Sequence, residues 1–179
     1  MSSDEAGQSE SHRLRIEKLA KEHNLEGFDC GRASLNDWLK RFALINQQND
    51  SARTYVLTTG KKVLGYYSLS AGAVRRDEAP TRVAKGLASP PIGVVLLARL
   101  AVDRHQHGKG CGTDLVRDAL LRALGAADSI GARAVLVHAL DERAAAFYRK
   151  FGFEASPVDA KRLMLLMKDL RTSLKEIPK

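Results

Sequence analysis

The stretch Leu96-Leu97-Ala98-Arg99-Leu100-Ala101-Val102-Asp103-Arg104-His105-Gln106-His107-Gly108-Lys109-Gly110-Cys111-Gly112-Thr113-Asp114-Leu115 decides the fold. Its apolar run ending at Val102 predicts a strand covered on both faces. Gly108, Gly110 and Gly112 predict a tight turn whose backbone N–H groups face outward with no Cβ in the way. From about Gly110 a helix begins, and its positive dipole end points at the same spot. Strand, glycine turn and helix together make an anion site suited to a pyrophosphate.

Two well-known phosphate loops do not fit. A P-loop has Lys followed by Ser or Thr, whereas Lys109 is followed by Gly110. A dinucleotide fingerprint has a third glycine where Thr113 stands, and a ribose-binding acid about twenty residues on, which has no convincing counterpart here. A glycine-rich connection with no ligand remains open on these residues alone. A third pattern, (Gln/Arg)-x-x-Gly-x-(Gly/Ala) at a helix start, fits the glycines of His107-Gly108-Lys109-Gly110-Cys111-Gly112. This segment resembles the acetyl-CoA loop of the GNAT acetyltransferases, with His107 in the place of Gln or Arg.

Outward from the loop, 179 residues suffice for one domain with a proper core, and 44% hydrophobic residues is an ordinary fraction. No apolar run reaches the roughly 18 residues of a membrane span. The polar N-terminus predicts no signal peptide. Cys30 and Cys111 have no framework or metal spacing and read as reduced thiols of a cytoplasmic protein. A formal charge of +8 favours an anionic partner such as a nucleic acid.

Residues 1–11 read as a disordered tail, 12–170 as the domain and 171–179 as a C-terminal tail. Arg13 to Leu19 alternates as a half-exposed strand does. Ser34 is the expected cap of a helix to about Gln48, with Leu35, Trp38, Leu39, Phe42 and Ile45 as its apolar stripe. Thr54–Thr58 and Val63–Ser70 read as a hairpin turning at Gly60-Lys61-Lys62. Ala71 to Pro91 has no clear period and carries Arg75, Arg76, Arg82 and Lys85; it reads as a solvated loop or an RNA contact.

Further on, a helix from Gly112 to about Ala127 is expected to bury Leu115, Val116, Ala119, Leu120 and Ala123. Ala134–Leu140 is an apolar strand in which His138 reads as structural. Asp141 is the expected cap of a helix Glu142–Lys150, ended by Gly152. Lys161–Lys168 reads as the last strand, with Leu163, Leu165 and Met167 on one face.

The helix end Ala146-Phe147-Tyr148-Arg149-Lys150-Phe151-Gly152-Phe153 is similar to the GNAT Phe-Tyr-x-x-x-Gly-Phe element. The order of Phe28-Asp29-Cys30-Gly31, Leu35-Asn36-x-Trp38-Leu39, Ala52-Arg53-Thr54-Tyr55-Val56 and Leu64-Gly65-Tyr66-Tyr67-Ser68-Leu69 narrows the resemblance to GNAT toxins of toxin–antitoxin pairs, the TacT and AtaT kind. It runs from about residue 24 to 168.

The resemblance implies an α/β (α+β) GNAT fold, with a mixed, mostly antiparallel sheet flanked by helices and a V-shaped splay for acetyl-CoA. It implies backbone pairing of pantetheine with Leu100, Ala101 and Val102. Pyrophosphate and nearby CoA contacts fall to His107, Gly108, Lys109, Gly110, Cys111, Gly112 and Thr113, with Phe147 beside the cofactor. Tyr148 becomes the general acid for the leaving thiolate, and no metal is involved. The implied acceptor is aminoacyl-tRNA, with Arg75, Arg76, Arg82 and Lys85 on its phosphates. The implied partners are an antitoxin, a small DNA-binding repressor encoded alongside, and a second copy of the chain. Asp141 departs from the Asn usual in these toxins. Acetylation of a small amine or protein lysine, or nucleic-acid binding without catalysis, are the alternatives.

Overall fold

A computed structural model describes residues 13–87 and 91–175, so the expected tail at 1–11, Pro90 and residues 176–179 lie outside the described part. The strands are β1 (Leu14–Lys18), β2 (Arg53–Thr59), β3 (Lys62–Val74), β4 (Ile92–Val102), β5 (Ala134–His138), β6 (Glu154–Ser156) and β7 (Asp159–Leu166). The helices are α1 (Ala33–Asp37), α2 (Ala43–Gln48), α3 (Thr81–Ala84), α4 (Cys111–Ile130), α5 (Glu142–Arg149) and α6 (Met167–Lys175). One seven-stranded sheet runs in the order β1-β2-β3-β4-β5-β7-β6. The β4–β5 pair is parallel; β1–β2, β5–β7 and β6–β7 are antiparallel. The β4–β5 ladder covers Val94–Leu97, and β4 itself continues to Val102. No helix among the described residues is long and apolar enough to cross a membrane.

Two compact units divide the chain. The first holds residues up to Ser68 together with Arg99–Asp118. Its core gathers Leu19, Phe28, Trp38, Leu39, Ala43, Val56, Val63, Tyr66 and Ala101. The side of β3 opposite that core packs on α4, where Tyr67 donates a hydrogen bond to Asp118. Gly65 allows this close approach: a Cβ would stand 3.0 Å from Leu115 Cδ1 and 3.1 Å from the Ala101 carbonyl oxygen, so both neighbours would have to give way.

Between α1 and α2, Trp38–Phe42 forms one π-helical turn, closed by the Ala43 N–H donating to the Trp38 carbonyl. The extra residue rotates α2 relative to α1. Hence Ala43, fully buried, takes the place expected of Phe42, while Phe42 and Ile45 are 46% and 54% exposed. Nor does Ser34 cap the helix. The N-cap is Arg32, without a side-chain cap, because the preceding turn is already tied by the Gly31 N–H to the Asp29 carboxylate.

The second unit holds Leu69–Ala98 and Ala119 onward. The segment read as a solvated loop is a packed cap instead. After β3 ends at Val74, a 3₁₀ turn at Arg76–Glu78 and α3 insert Val74, Ala79, Val83 and Ala84 into a core with Ile92, Val94, Ala134, Leu136, Met164 and Leu166. The stripe expected on α4 is buried and continues to Ala127. Strand β7 ends two residues early, and Leu163, Met164, Leu165 and Leu166 are all buried, so both of its faces are covered rather than one. Met167 begins α6 instead. Similarly, β5 stops at His138, short of the expected Leu140.

Candidate active site

The loop between β4 and α4 is built before any ligand arrives. Asp103, buried at the strand end, accepts from the backbone N–H groups of Asp29 (3.0 Å) and His105 (2.9 Å), and His105 Nδ1 lies 3.0 Å from it. Burial alone would raise the Asp103 carboxyl; these hydrogen bonds outweigh it and hold the group below the usual carboxylate range. Asp29 in turn accepts from the Gly31 N–H and Asn36 Nδ2, pairs with Arg104, and takes the Arg104 N–H on its carbonyl. Asn36 Oδ1 also holds the Cys30 N–H. Thus Phe28–Gly31 and Asn36 act as a clamp on the loop.

Gly108 and Gly110 have φ of +76° and +82°, the left-handed region that other residues rarely enter. The first intrahelical bond is Asp114 N–H to the Gly110 carbonyl, so the N–H groups of Cys111, Gly112 and Thr113 have no partner within the helix, the arrangement that suits an anion. His107, at the variant position of the motif, folds back and donates from Nε2 to the Val102 carbonyl at 2.7 Å. Its ring closes the loop and leaves the glycine backbone open. Cys111 is buried, which pushes its thiol up and makes it a packing group, not a nucleophile. Lys109 is exposed beside the same turn.

The Asp103 N–H donates to the Leu64 carbonyl on β3. By strand alternation the backbone groups of Ala101 face β3, and those of Leu100 and Val102 face the opposite edge. Leu100, Ala101, Val102 and the loop from His107 to Thr113 therefore come together within the first unit.

In the second unit, Asp141 caps α5 as expected, its Oδ1 accepting from the Ala144 N–H at 2.8 Å. Tyr148 lies on the buried side of α5 at 8% exposure, edge-on to Phe147 (5.4 Å) and Phe153 (5.6 Å). Burial, with no charge or hydrogen bond against it, pushes its hydroxyl above the usual range, so the phenol keeps its proton at neutral pH. The left-handed residue after α5 is Gly152 (φ +94°), two positions past the C-cap Lys150. His138 is exposed at the end of β5, and partial burial with the nearby Arg162 charge holds its imidazole below the usual value.

The four cations before β4 differ in their surroundings. Arg82 forms a bidentate pair with Asp169 (2.7 and 2.8 Å) and a further bond to Glu154, and Arg75 pairs with Asp77. Arg76 donates to the Leu87 carbonyl, and the Lys85 ammonium has no partner among the described residues.

Sequence reasoning assigned no role to Asp103, Asp29, Asn36 or Arg104. The available signal was Asp103 at the strand end followed by Arg-His-Gln, an Asx cap of a short turn; its partner Asp29, 74 residues upstream, left no such signal.

The family description "Acetyltransferase (GNAT) domain" matches residues 50–155. The chain is 46% identical over 154 residues to a tRNA-acetylating toxin of Mycobacterium tuberculosis, covering 86% of this chain and 92% of that one. Its fold matches AtaT in complex with acetyl-methionyl-tRNAfMet at a TM-score of 0.84 and 31% identity, over 90% of this chain and 99% of that one. It also matches a tyrosine-to-phenylalanine mutant of AtaT bound to acetyl-CoA and the C-terminus of the antitoxin AtaR, at 0.78 and 29%, over 92% and 99%. The chain belongs to the GNAT acetyltransferase family, which transfers acetyl from acetyl-CoA to amines.

Proposed function

We propose that this protein is a toxin that transfers acetyl from acetyl-CoA to the α-amino group of aminoacyl-tRNA, blocks translation in the cytoplasm, and is neutralised by a cognate DNA-binding antitoxin. The observation that carries the reading is the likeness to a tRNA-acetylating toxin over most of the chain; a preformed anion loop and a buried, protonated tyrosine agree with it. A homodimer and a single catalytic domain over 12–170 belong to the same proposal.

Acetyl-CoA is seated by its pyrophosphate on the backbone of His107–Thr113 and by its pantetheine along β4, with Phe147 beside it. The amine attacks the thioester carbonyl, and the C–S bond breaks as the thiolate leaves. Tyr148 supplies the proton to that thiolate. The run Leu96–Val102 holds no carboxylate to serve as base, and this acceptor needs little help. A lysine amine, with pKa near 10.4, is neutral about once in a thousand at pH 7; an α-amino group, with pKa near 8, about once in ten. An adjacent ester lowers the latter further. The remaining work is positioning.

Incubation with labelled acetyl-CoA and a mixture of charged tRNAs is expected to place the label on the aminoacyl group, released by mild alkali as an N-acetyl amino acid. Label on small amines or protein lysines alone would overturn the reading.

Arg75, Arg76, Arg82 and Lys85 are assigned to tRNA phosphates. Replacing all four with alanine is expected to weaken tRNA binding and flatten its salt dependence, because each neutralised phosphate releases counterion. Most of the change should track Arg76 and Lys85, since Arg75 and Arg82 already face carboxylates. Acetyl-CoA affinity stays as it was. Filter binding across a salt series reads the slope, and an unchanged slope returns the group to a solvated surface.

A further inference from the structure

Arg99 has an unusual environment among the cations of the first unit. It is half-buried on β4, one residue before Leu100. Its guanidinium carbon lies 4.2 Å from the centre of the Trp38 ring. Trp38 is itself stacked on Tyr66 (5.9 Å, 13° between planes), and Phe28 meets Tyr66 edge-on. Arg53 and Arg104, by contrast, each pair with a carboxylate. Arg99 has no hydrogen-bond or ion-pair partner among the described residues.

A guanidinium resting on an aromatic ring uses its face, and its five N–H donors stay in the plane with their edge free. Such an edge fits the paired oxygens of a phosphate or carboxylate. Resting on the ring, the half-buried guanidinium is held in one place before an anion arrives, which lowers the ordering cost of binding one. The arrangement is that of an anion fork held in place by the ring.

The anion this fork fits is not the CoA pyrophosphate. Gly65 and Tyr67 point to Leu115 and Asp118 on α4, whereas Tyr66 between them points to Trp38. Ala101 packs in the Trp38 core, and Arg99, two residues earlier, shares that face. Arg99 therefore lies on the side of the sheet opposite α4, whose N-terminus takes the donor. It is nevertheless next to Leu100, whose backbone edge is assigned to the thioester arm. An anion bound there sits close to the reacting amine but belongs to the acceptor. In an aminoacyl-tRNA the phosphate nearest the aminoacyl ester is the 5′-phosphate of the terminal nucleotide, one ribose away.

We propose that Arg99, held flat on Trp38, binds the backbone phosphate of the terminal nucleotide of the acceptor RNA and so fixes the aminoacyl group at the thioester. This rests on charged tRNA being the acceptor.

The test compares two minimal acceptors that differ only in that phosphate, a 3′-aminoacyl adenosine with and without its 5′-phosphate, beside intact charged tRNA. The wild type is expected to prefer the phosphorylated ester at least tenfold in kcat/KM. Arg99→Gln should reduce that preference to about twofold or less, raise KM for charged tRNA about tenfold or more, and lower its salt slope by about 0.7, the value for one single-strand phosphate. Its KM for acetyl-CoA and its activity on the unphosphorylated ester should match the wild type, which also shows that it is folded. Arg99→Lys, which keeps the charge without the fork, is expected to fall between. Equal losses on both esters, or a raised KM for acetyl-CoA, would overturn the proposal. A wild type that acetylates charged tRNA with no change in Arg99→Gln overturns the phosphate contact alone. A wild type that acetylates no charged tRNA overturns the acceptor reading and this contact with it.

Discussion

Tyr148→Phe is expected to lower turnover on charged tRNA by roughly two to four powers of ten, with acetyl-CoA affinity and melting temperature nearly unchanged. The substitution removes one oxygen and keeps the ring, so the edge-on contacts with Phe147 and Phe153 survive. If Tyr148 were only a core aromatic, the pattern would reverse: turnover would persist and stability alone would shift. The pH profile separates the roles again. Burial raises the Tyr148 hydroxyl, so the acid form persists through neutral pH and beyond the ordinary phenol value of about 10. The wild-type rate should then climb with pH as the ester-flanked α-amino group loses its proton below about 8, with no loss of the acid before about 10. In cells, the wild type expressed alone should arrest growth and Tyr148→Phe should not. Turnover within about threefold of wild type, well under 1 kcal/mol of barrier, removes Tyr148 from the mechanism.

Gly110→Asp is expected to cut acetyl-CoA affinity by at least about tenfold, or 1.4 kcal/mol, in a protein that still folds. At φ +82° a side chain is strained, but a Cβ there meets no atom within 4 Å. Asp and Asn tolerate this backbone better than other residues. The loss therefore comes from placing a carboxylate where the pyrophosphate must sit. Gly110→Asn, of the same shape and without charge, is the control and should lose far less. Calorimetric titration with CoA reads both variants. Near-normal binding by folded Gly110→Asp would displace the donor from this loop.

Much of this site was legible because its signals are local. An apolar run, three spaced glycines and a periodic stripe from Leu115 to Ala123 lie within thirty residues, and each needs only its neighbours to be understood. Asp141 three residues before the N–H it caps is equally local. The π turn was not legible: nothing in Trp38–Phe42 announces the extra residue, which is settled by how Trp38 and Ala43 seat in the core. The segment after Val74 lacks a period because it alternates short turns with single buried residues, so its packing contributes no repeat to read. Strand β7 showed alternation only in part, since both of its faces are covered. Arg99 was visible as a charge within an apolar strand, but its meaning depends on Trp38, sixty-one positions away.

The clamp that Asp29, itself held by Asn36, places on Asp103 and Arg104 has a consequence for the cost of binding. A free glycine-rich loop would lose its conformational entropy each time a donor arrived, about 1–2 kcal/mol for every residue fixed. Here that ordering belongs to the folding of the N-terminal third, which delivers a rigid seat. Exchange of spent CoA for fresh acetyl-CoA can then proceed without the seat dissolving and re-forming between turnovers. On the proposed seating of CoA, the segment Phe28–Asn36, remote in sequence from the loop, thereby lowers the ordering cost of each exchange.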